Sequence, residues 1–516
     1  MITNATLTLS RRRLLAGSAA LTAAAVVPGR GSAQEARKGG VLNYASLGLD
    51  TSDPHRHTGS IGVQQVYAET LTSIGSNGSV EPFLARSFEI SEDGRIYRFQ
   101  IRDGVTFHNG DPLTAADVAA NIERVRANVK GGWLATAMKL VDSVEAQNGD
   151  GVVTMRMSRP YAPLLNLMSE LWILSPKSKG WDGTMEQPIG TGPFRFGQWQ
   201  PKVRLVTPRN ESYWQKDLPH LEAVHFDLRD DADKALPLRA GDIHIATVTR
   251  DVAEQLKSNP NIVIGGLKDS TWHFVSFNNR KPRPPFNDVR VRKALMYAID
   301  KQAFMRFVGG DSAVVTNQMV LPNNVYFDRA MHEADPHAKP DLDKARALLK
   351  EAGVDPAAVT IELISWQESA PQIAVQMIRR LGFKVNHVAL DDLGAQKRLG
   401  QYDWDVTVLS SGPRADVFLR YVRLMSDGPN PVLWGGVQDG EFDRLVNEAV
   451  AEPDLATRKR HYLAAWQRVS DNYYTVVLGH TSTLFAWRKE VKGYDPGFTY
   501  APHWASGGLA HAYLQR

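Results

Sequence analysis

Short β-type runs alternate with longer helical segments along this chain, and that alternation restricts it to layered α/β architecture. Val41-Leu42-Asn43-Tyr44-Ala45 follows Gly39-Gly40 as a strand, and Tyr97-Arg98-Phe99-Gln100-Ile101 alternates with period two. Residues 222–228 do the same, and the second half adds strands at 359–364, 383–390 and 405–409 with helices between them. Helical faces are spelled by Val118, Ile122 and Val125, and by Leu342, Ala345, Leu348 and Leu349. Asp341 is placed as an N-cap and Gly353 as the C-terminal stop. At 516 residues one hydrophobic core is not enough, so two or three domains are expected.

The first residues carry an address. Arg11-Arg12-Arg13 open a basic region, Leu14 to Val27 are mildly apolar, and Gly31-Ser32-Ala33 offer a small-residue cut before Gln34. The paired arginines resemble the twin-arginine export signal. The apolar stretch is shorter than the roughly 18 residues a membrane span needs. The chain has no cysteine, which removes disulfides, thiolate metal sites, a cysteine nucleophile and a lipid-bearing anchor. An exported, unanchored protein of the periplasm is expected, cut near Ala33. The formal charge of +4 resides in Arg11, Arg12, Arg13 and Arg30, so the mature chain is neutral and offers no phosphate-seeking face to nucleic acid.

One segment is unusually legible. Pro284-Pro285 hold an extended lead-in, Asp288 can cap the helix that follows, and Val291, Ala294, Leu295 and Ala298 share its core face. Arg290, Arg292 and Lys293 are expected largely off that face. Other stretches are as distinctive: 82–94, then Arg102-Asp103-Gly104-Val105-Thr106-Phe107-His108-Asn109-Gly110 and Pro112-Leu113-Thr114-Ala115-Ala116-Asp117-Val118. Gly190-Thr191-Gly192-Pro193-Phe194, Arg239-Ala240-Gly241-Asp242-Ile243, 345–353, Phe442-Asp443-Arg444-Leu445 and Arg458-Lys459-Arg460-His461-Tyr462 follow in order. Together they resemble the family 5 extracellular solute-binding proteins, the peptide, nickel and opine group that serves ATP-driven importers. Bare chemistry reads these blocks as structural. Gly104, Gly110 and Gly192 suit positive-φ turns, and Thr114 with Asp117 forms an acidic capping box.

The resemblance implies an α/β, class II periplasmic-binding-protein fold, two lobes with an additional subdomain in the N-terminal lobe (cluster C type). Residues 1–33 would be the signal, 34–75, 189–271 and 479–516 the first lobe, 76–188 its extra subdomain, and 272–478 the second lobe. It implies a monomeric receptor that closes on a small molecule or peptide and hands it to a membrane permease, without cofactor or catalysis. An exported sensor or chaperone, or a hydrolase, is the alternative on the same fold.

Motifs for other chemistry fail on spacing. Gly190-Thr191-Gly192 lacks a Walker continuation, and His332 and His337 are one place too far apart for a zincin helix that Pro336 disfavours. His55 and His57 could offer two nitrogens to a metal, but Asp53-Pro54-His55 after the first strand resembles an ordinary loop of the family, and there is no Gly-x-Ser-x-Gly elbow. Ligand residues are instead expected on loops at the carboxyl ends of strands, which face the crevice of α/β sheets. These are Trp366 after the strand at 359–364, and Gly412, Arg414 and Asp416 after the strand at 405–409. Tyr44, Asp53 and His55 are weaker candidates around the first strand. Arg414 can fork onto a carboxylate and Asp416 can take an ammonium. Dipeptide-binding members carry an Asp where this chain has Pro413 and an Arg within a loop corresponding to 366–372, which here has none. An oligopeptide, an opine-like conjugate, another polar organic solute or a nickel complex remain as cargo.

Overall fold

Capping decides where the helices begin. Thr114 accepts from the Asp117 backbone while the Asp117 carboxylate accepts from the Thr114 N–H, closing the capping box of the helix Ala115–Asn128. Asp288 accepts from Arg290 N to start Val289–Ala298, and Asp341 accepts from Lys344 N to start Leu342–Glu351. The last of these stops at Gly353, whose φ is 68°. Two local expectations are corrected. Arg292 is buried: its guanidinium donates to the carbonyls of Phe286 and Asn472, so a charge lies on the core side of its helix. Gly192 does not hold a positive φ. It is needed for close approach, since a Cβ there would lie 2.5 Å from Val66 O.

The computed structural model describes residues 38–515, apart from 47, 50, 57–61, 76–78, 130–131, 148, 230–233, 268–269, 311–312, 367–369, 391, 415, 429–433, 453 and 498–502. The export segment and His57 therefore lie outside the described residues.

Two large sheets organise the chain. The first has seven strands in the order Trp199–Gln200, Arg204–Pro208, Ala223–Asp227, Val41–Ala45, Ile245–Val248, Leu484–Arg488, Ile262–Gly266. Val41–Ala45 runs parallel to both of its neighbours. The second has six strands in the order Val314–Val315, Thr475–Thr481, Thr271–Phe277, Val406–Ser411, Thr360–Trp366, Lys384–Leu390. Thr360–Trp366 is parallel to the strands on either side, whereas Thr271–Phe277 is antiparallel to both of its own neighbours. A third, four-stranded antiparallel sheet orders Ala85–Ile90, Ile96–Ile101, Val152–Met157 and Val141–Gln147. Helix Ala115–Asn128 sends Val118, Ile122 and Val125 into the same core as Phe99, Val153 and Met155.

The chain passes from the first sheet to the second after Ile262–Gly266 and returns between Thr475–Thr481 and Leu484–Arg488. The two passages lie side by side: Thr271 pairs with Thr481, Trp272 with His480, and Leu267 N donates to Thr483 O at 3.1 Å. Two histidines stitch them together. His480 meets Ser270 Oγ at 2.7 Å and Gln318 O at 2.9 Å, and His273 Nε2 meets Thr481 Oγ1 at 2.9 Å. Burial holds both rings neutral, pushing His480 down to about 3 and His273 to about 4.

Candidate functional site

Register brings the second-sheet candidates to one edge. Ser365 lies beside Val408 in parallel strands, so the segments leaving Trp366 and Ser411 emerge together. Trp272 belongs to the same edge, because the antiparallel strand Thr271–Phe277 places it opposite Ser411. Trp366, Trp272 and the segment that goes on to Gly412, Arg414 and Asp416 therefore leave the sheet at the same end. Trp366 ends its strand, and its side chain lies outside what is described.

Arg414 Nη1 donates to Pro413 O at 2.8 Å. Asp416 is half-buried, and its Oδ1 accepts from Phe418 N at 2.7 Å ahead of the short helix Phe418–Tyr421. Desolvation pushes the Asp416 carboxyl above the usual carboxylate range. Its charge in turn adds to burial in raising the phenols of Tyr161, Tyr326 and Tyr462. Tyr161 packs edge-on against Phe418 at 5.6 Å.

The three first-sheet candidates do not join this edge directly. Tyr44 is buried in the core of the first sheet; its hydroxyl lies 3.5 Å from Tyr494, and burial pushes it up to about 12. Asp53 is fully buried and receives a fork from Arg124, at 3.1 Å to Oδ1 and 2.7 Å to Oδ2, with Met185 N donating at 3.1 Å. His55 accepts from Arg124 at Nδ1, 2.8 Å away, so its Nε2–H donates to Trp172 O at 2.7 Å. Arg124 also donates to the carbonyls of Trp181 and Gly183. The network is a buried brace behind the strand Trp172–Ile173. Glu170 lies two residues before that strand.

The side chains that the sequence reading passed over are Arg420, Arg423, Trp434 and Glu170. Arg420 donates to Met319 O and, at 3.2 Å, to Ser270 O. Arg423 Nη1 donates to Ser411 Oγ at 2.7 Å, and its guanidinium lies 4.9 Å over the Trp434 ring. Trp434 stacks on Phe274 at 5.0 Å and on Trp272 at 5.6 Å. Burial, then the Arg414 and Arg420 charges, push Arg423 well below the ordinary arginine range, and Glu170 opposes that shift. A sequence signal existed: two arginines interrupt the apolar run Phe418-Leu419-Arg420-Tyr421-Val422-Arg423-Leu424-Met425, and an arginine there must find polar company in the interior.

A separate cavity of about 30 Å³ sits beside Glu69, which accepts from Thr191, Tyr213 and Trp214. That volume holds roughly one water, not an organic solute.

The family of bacterial extracellular solute-binding proteins, family 5 (middle region), matches residues 79–429. The glutathione-binding protein GsiB of Pectobacterium atrosepticum is 27% identical over 75% of this chain and 74% of its own length. The nickel-binding periplasmic protein of Escherichia coli is 25% identical over 85% of this chain and 88% of its own. Among solved structures, the oligopeptide-binding protein AppA of Bacillus subtilis with a nonapeptide superposes with TM-score 0.80 at 20% identity, covering 93% of this chain and all of its own. NikA of Brucella suis with Fe(III)-EDTA does so with TM-score 0.80 at 21% identity, covering 92% of this chain and all of its own. The architecture is that of these periplasmic binding proteins, and the chain belongs to the bacterial extracellular solute-binding proteins of family 5.

Proposed function

We propose that this protein is the exported receptor of an ATP-driven importer, a monomer that closes two lobes on a peptide-like or other small polar organic solute and presents it to the permease. Residues 34–271 with 479–516 form one lobe and 272–478 the other, and the twin-arginine segment directs export. The observation that carries the reading is the convergence beside the paired crossover strands. There the carboxyl ends of two parallel strands lie beside a buried arginine on a tryptophan stack, and the charge of Glu170, from the part of the chain before the first crossover, acts on that arginine. A solute touching both sides stabilises the shut form without bond making. Similarity to proteins named for glutathione, peptides and nickel supports a polar cargo. Arg414 and Asp416 are assigned to the solute's charged ends.

Denaturing the purified protein and identifying what it releases by mass spectrometry tests this. One solute per chain, which rebinds the refolded protein and is recovered chemically unchanged, is expected. Release of nothing, with no binding from a panel of peptides, opines, sugars and metal chelates, contradicts the receptor; turnover of a bound peptide points to a hydrolase.

A further inference from the structure

The small cavity beside Glu69 is walled largely by acceptors. Glu69 is buried, and its carboxylate accepts from Thr191 Oγ1 and Tyr213 Oη at 2.7 Å each and from Trp214 Nε1 at 3.0 Å, all neutral donors. Its one ion-pair contact among the described residues is with His503, whose Nε2 lies 3.4 Å from Oε1 and 3.3 Å from Tyr213 Oη. Tyr213 gives its proton to Glu69, so both oxygens facing Nε2 accept; in the neutral ring Nε2 carries the hydrogen and Nδ1 keeps a bare lone pair. That Nδ1 and Gln65 Oε1 are buried without a hydrogen-bond partner among the described residues, and both residues line the cavity. Thr70 and Ser169, also in its wall, give their hydroxyl protons to Thr72 O and Asn166 O at 2.6 Å each and have only lone pairs left to offer. The remaining hydroxyl there, Ser73, accepts from Ala505 N at 3.2 Å.

We infer that this cavity seats a monovalent cation of water's size, ammonium or potassium, which clamps Gln65, Glu69 and Ser169 to the segment His503–Trp504 near the end of the chain. A water brings two protons and two lone pairs, and its lone pairs find few donors in such a wall; a cation asks for acceptors alone. A buried carboxylate also calls for opposite charge. Arg102 supplies some, but from behind the Trp214 ring, 4.7 Å from its centre. The rings of Phe83 and Trp504 complete the wall, and aromatic faces attract a cation. At about 30 Å³ the space excludes an organic ammonium or a hydrated divalent ion. The clamp acts whatever solute the protein carries.

The test is urea unfolding of the full chain, stripped of solute, at about pH 8, above the ordinary histidine range. Ammonium chloride or potassium chloride replaces choline chloride stepwise at a fixed ionic strength of about 0.1 M, choline being too large for the cavity. At least one of the two small cations should raise stability with the logarithm of its concentration above Kd, as a binder of the native state does, and the arm that responds tells ammonium from potassium. Glu69→Gln keeps the shape, removes the charge and should abolish the effect. Gln65→Met, at a half-buried position, should weaken the apparent affinity about tenfold, the loss expected for one bond to a charged group, and it carries the test should the Glu69 variant fail to fold. Identical curves in the three chlorides mean that water alone fills the cavity and overturn the seat. A cation effect of undiminished size in the variants overturns it as well.

Discussion

Asp53 and His55 illustrate what a residue's place in the chain does and does not determine. Both follow the first strand at its carboxyl end, where ligand-binding loops belong, yet Arg124 occupies their polar atoms. That arginine is about seventy residues away on a helix whose apolar stripe is plain and whose one inward charge is not. A carboxylate's type and position can be read locally, and so can Arg56, 3.5 Å from it; the buried cation that forks onto it cannot. Removing one member of a buried pair strands the other without compensation, typically at about 3–5 kcal/mol. Arg124→Leu should therefore lower the unfolding free energy in urea titrations, by up to about that much and by less to the extent that Arg56, 3.5 Å from Asp53, compensates the carboxylate. A loss below about 1 kcal/mol would show that Asp53 finds another partner and that the brace is dispensable.

At the scale of elements, local rules read well and pairing did not. The caps at Thr114, Asp288 and Asp341 satisfy donors within three residues, so their signals are complete in a short window. The strand Val41–Ala45, by contrast, pairs with Ala223–Asp227 and Ile245–Val248, and no pattern within it names those partners. The buried cluster at Arg423 was hidden for the same reason: it needs Trp272 and Ser411 to be opposite one another. The crossover strands carry a pH signature. His480 and His273 are neutral in the fold, at about 3 and about 4, against 6.5 for the free side chain. Between those limits the unfolded chain binds more protons, so stability rises with pH. Their contribution is intact above about 6.5 and is lost as pH falls toward 4 and then 3. His480→Asn should lower the slope of unfolding free energy against pH in that window by up to about one proton. Arg420 and His273, which help hold His480 neutral, remain in the variant. An unchanged slope would mean that His480 titrates alike in both states.

Over the whole molecule, the first and second sheets are joined by two adjacent passages, and the segment after the four-stranded sheet touches the helix Gly440–Ala451 through backbone and side chain. There Ala162 N donates to Val450 O at 2.9 Å and Arg159 donates to Asn447 at 2.9 Å beside the Tyr161–Phe418 pair. Trp272 and Trp434 share a continuous core with Phe99 and Leu171 of the part that precedes the first crossover. Paired passages absorb a hinge rotation, and contacts made across the seam are the ones a solute can strengthen. Ligand and closure are thus one equilibrium, and a binder of the native state alone adds RT ln(1 + [L]/Kd) to stability.

The most direct check is the unfolding free energy of the solute-stripped protein, measured against increasing concentration of the solute recovered from it. A logarithmic rise is predicted, reaching about 2.7 kcal/mol at a hundredfold excess over Kd, with the solute intact afterwards. A flat line, or stabilisation that decays as the solute is converted, would contradict a receptor that captures and releases without chemistry.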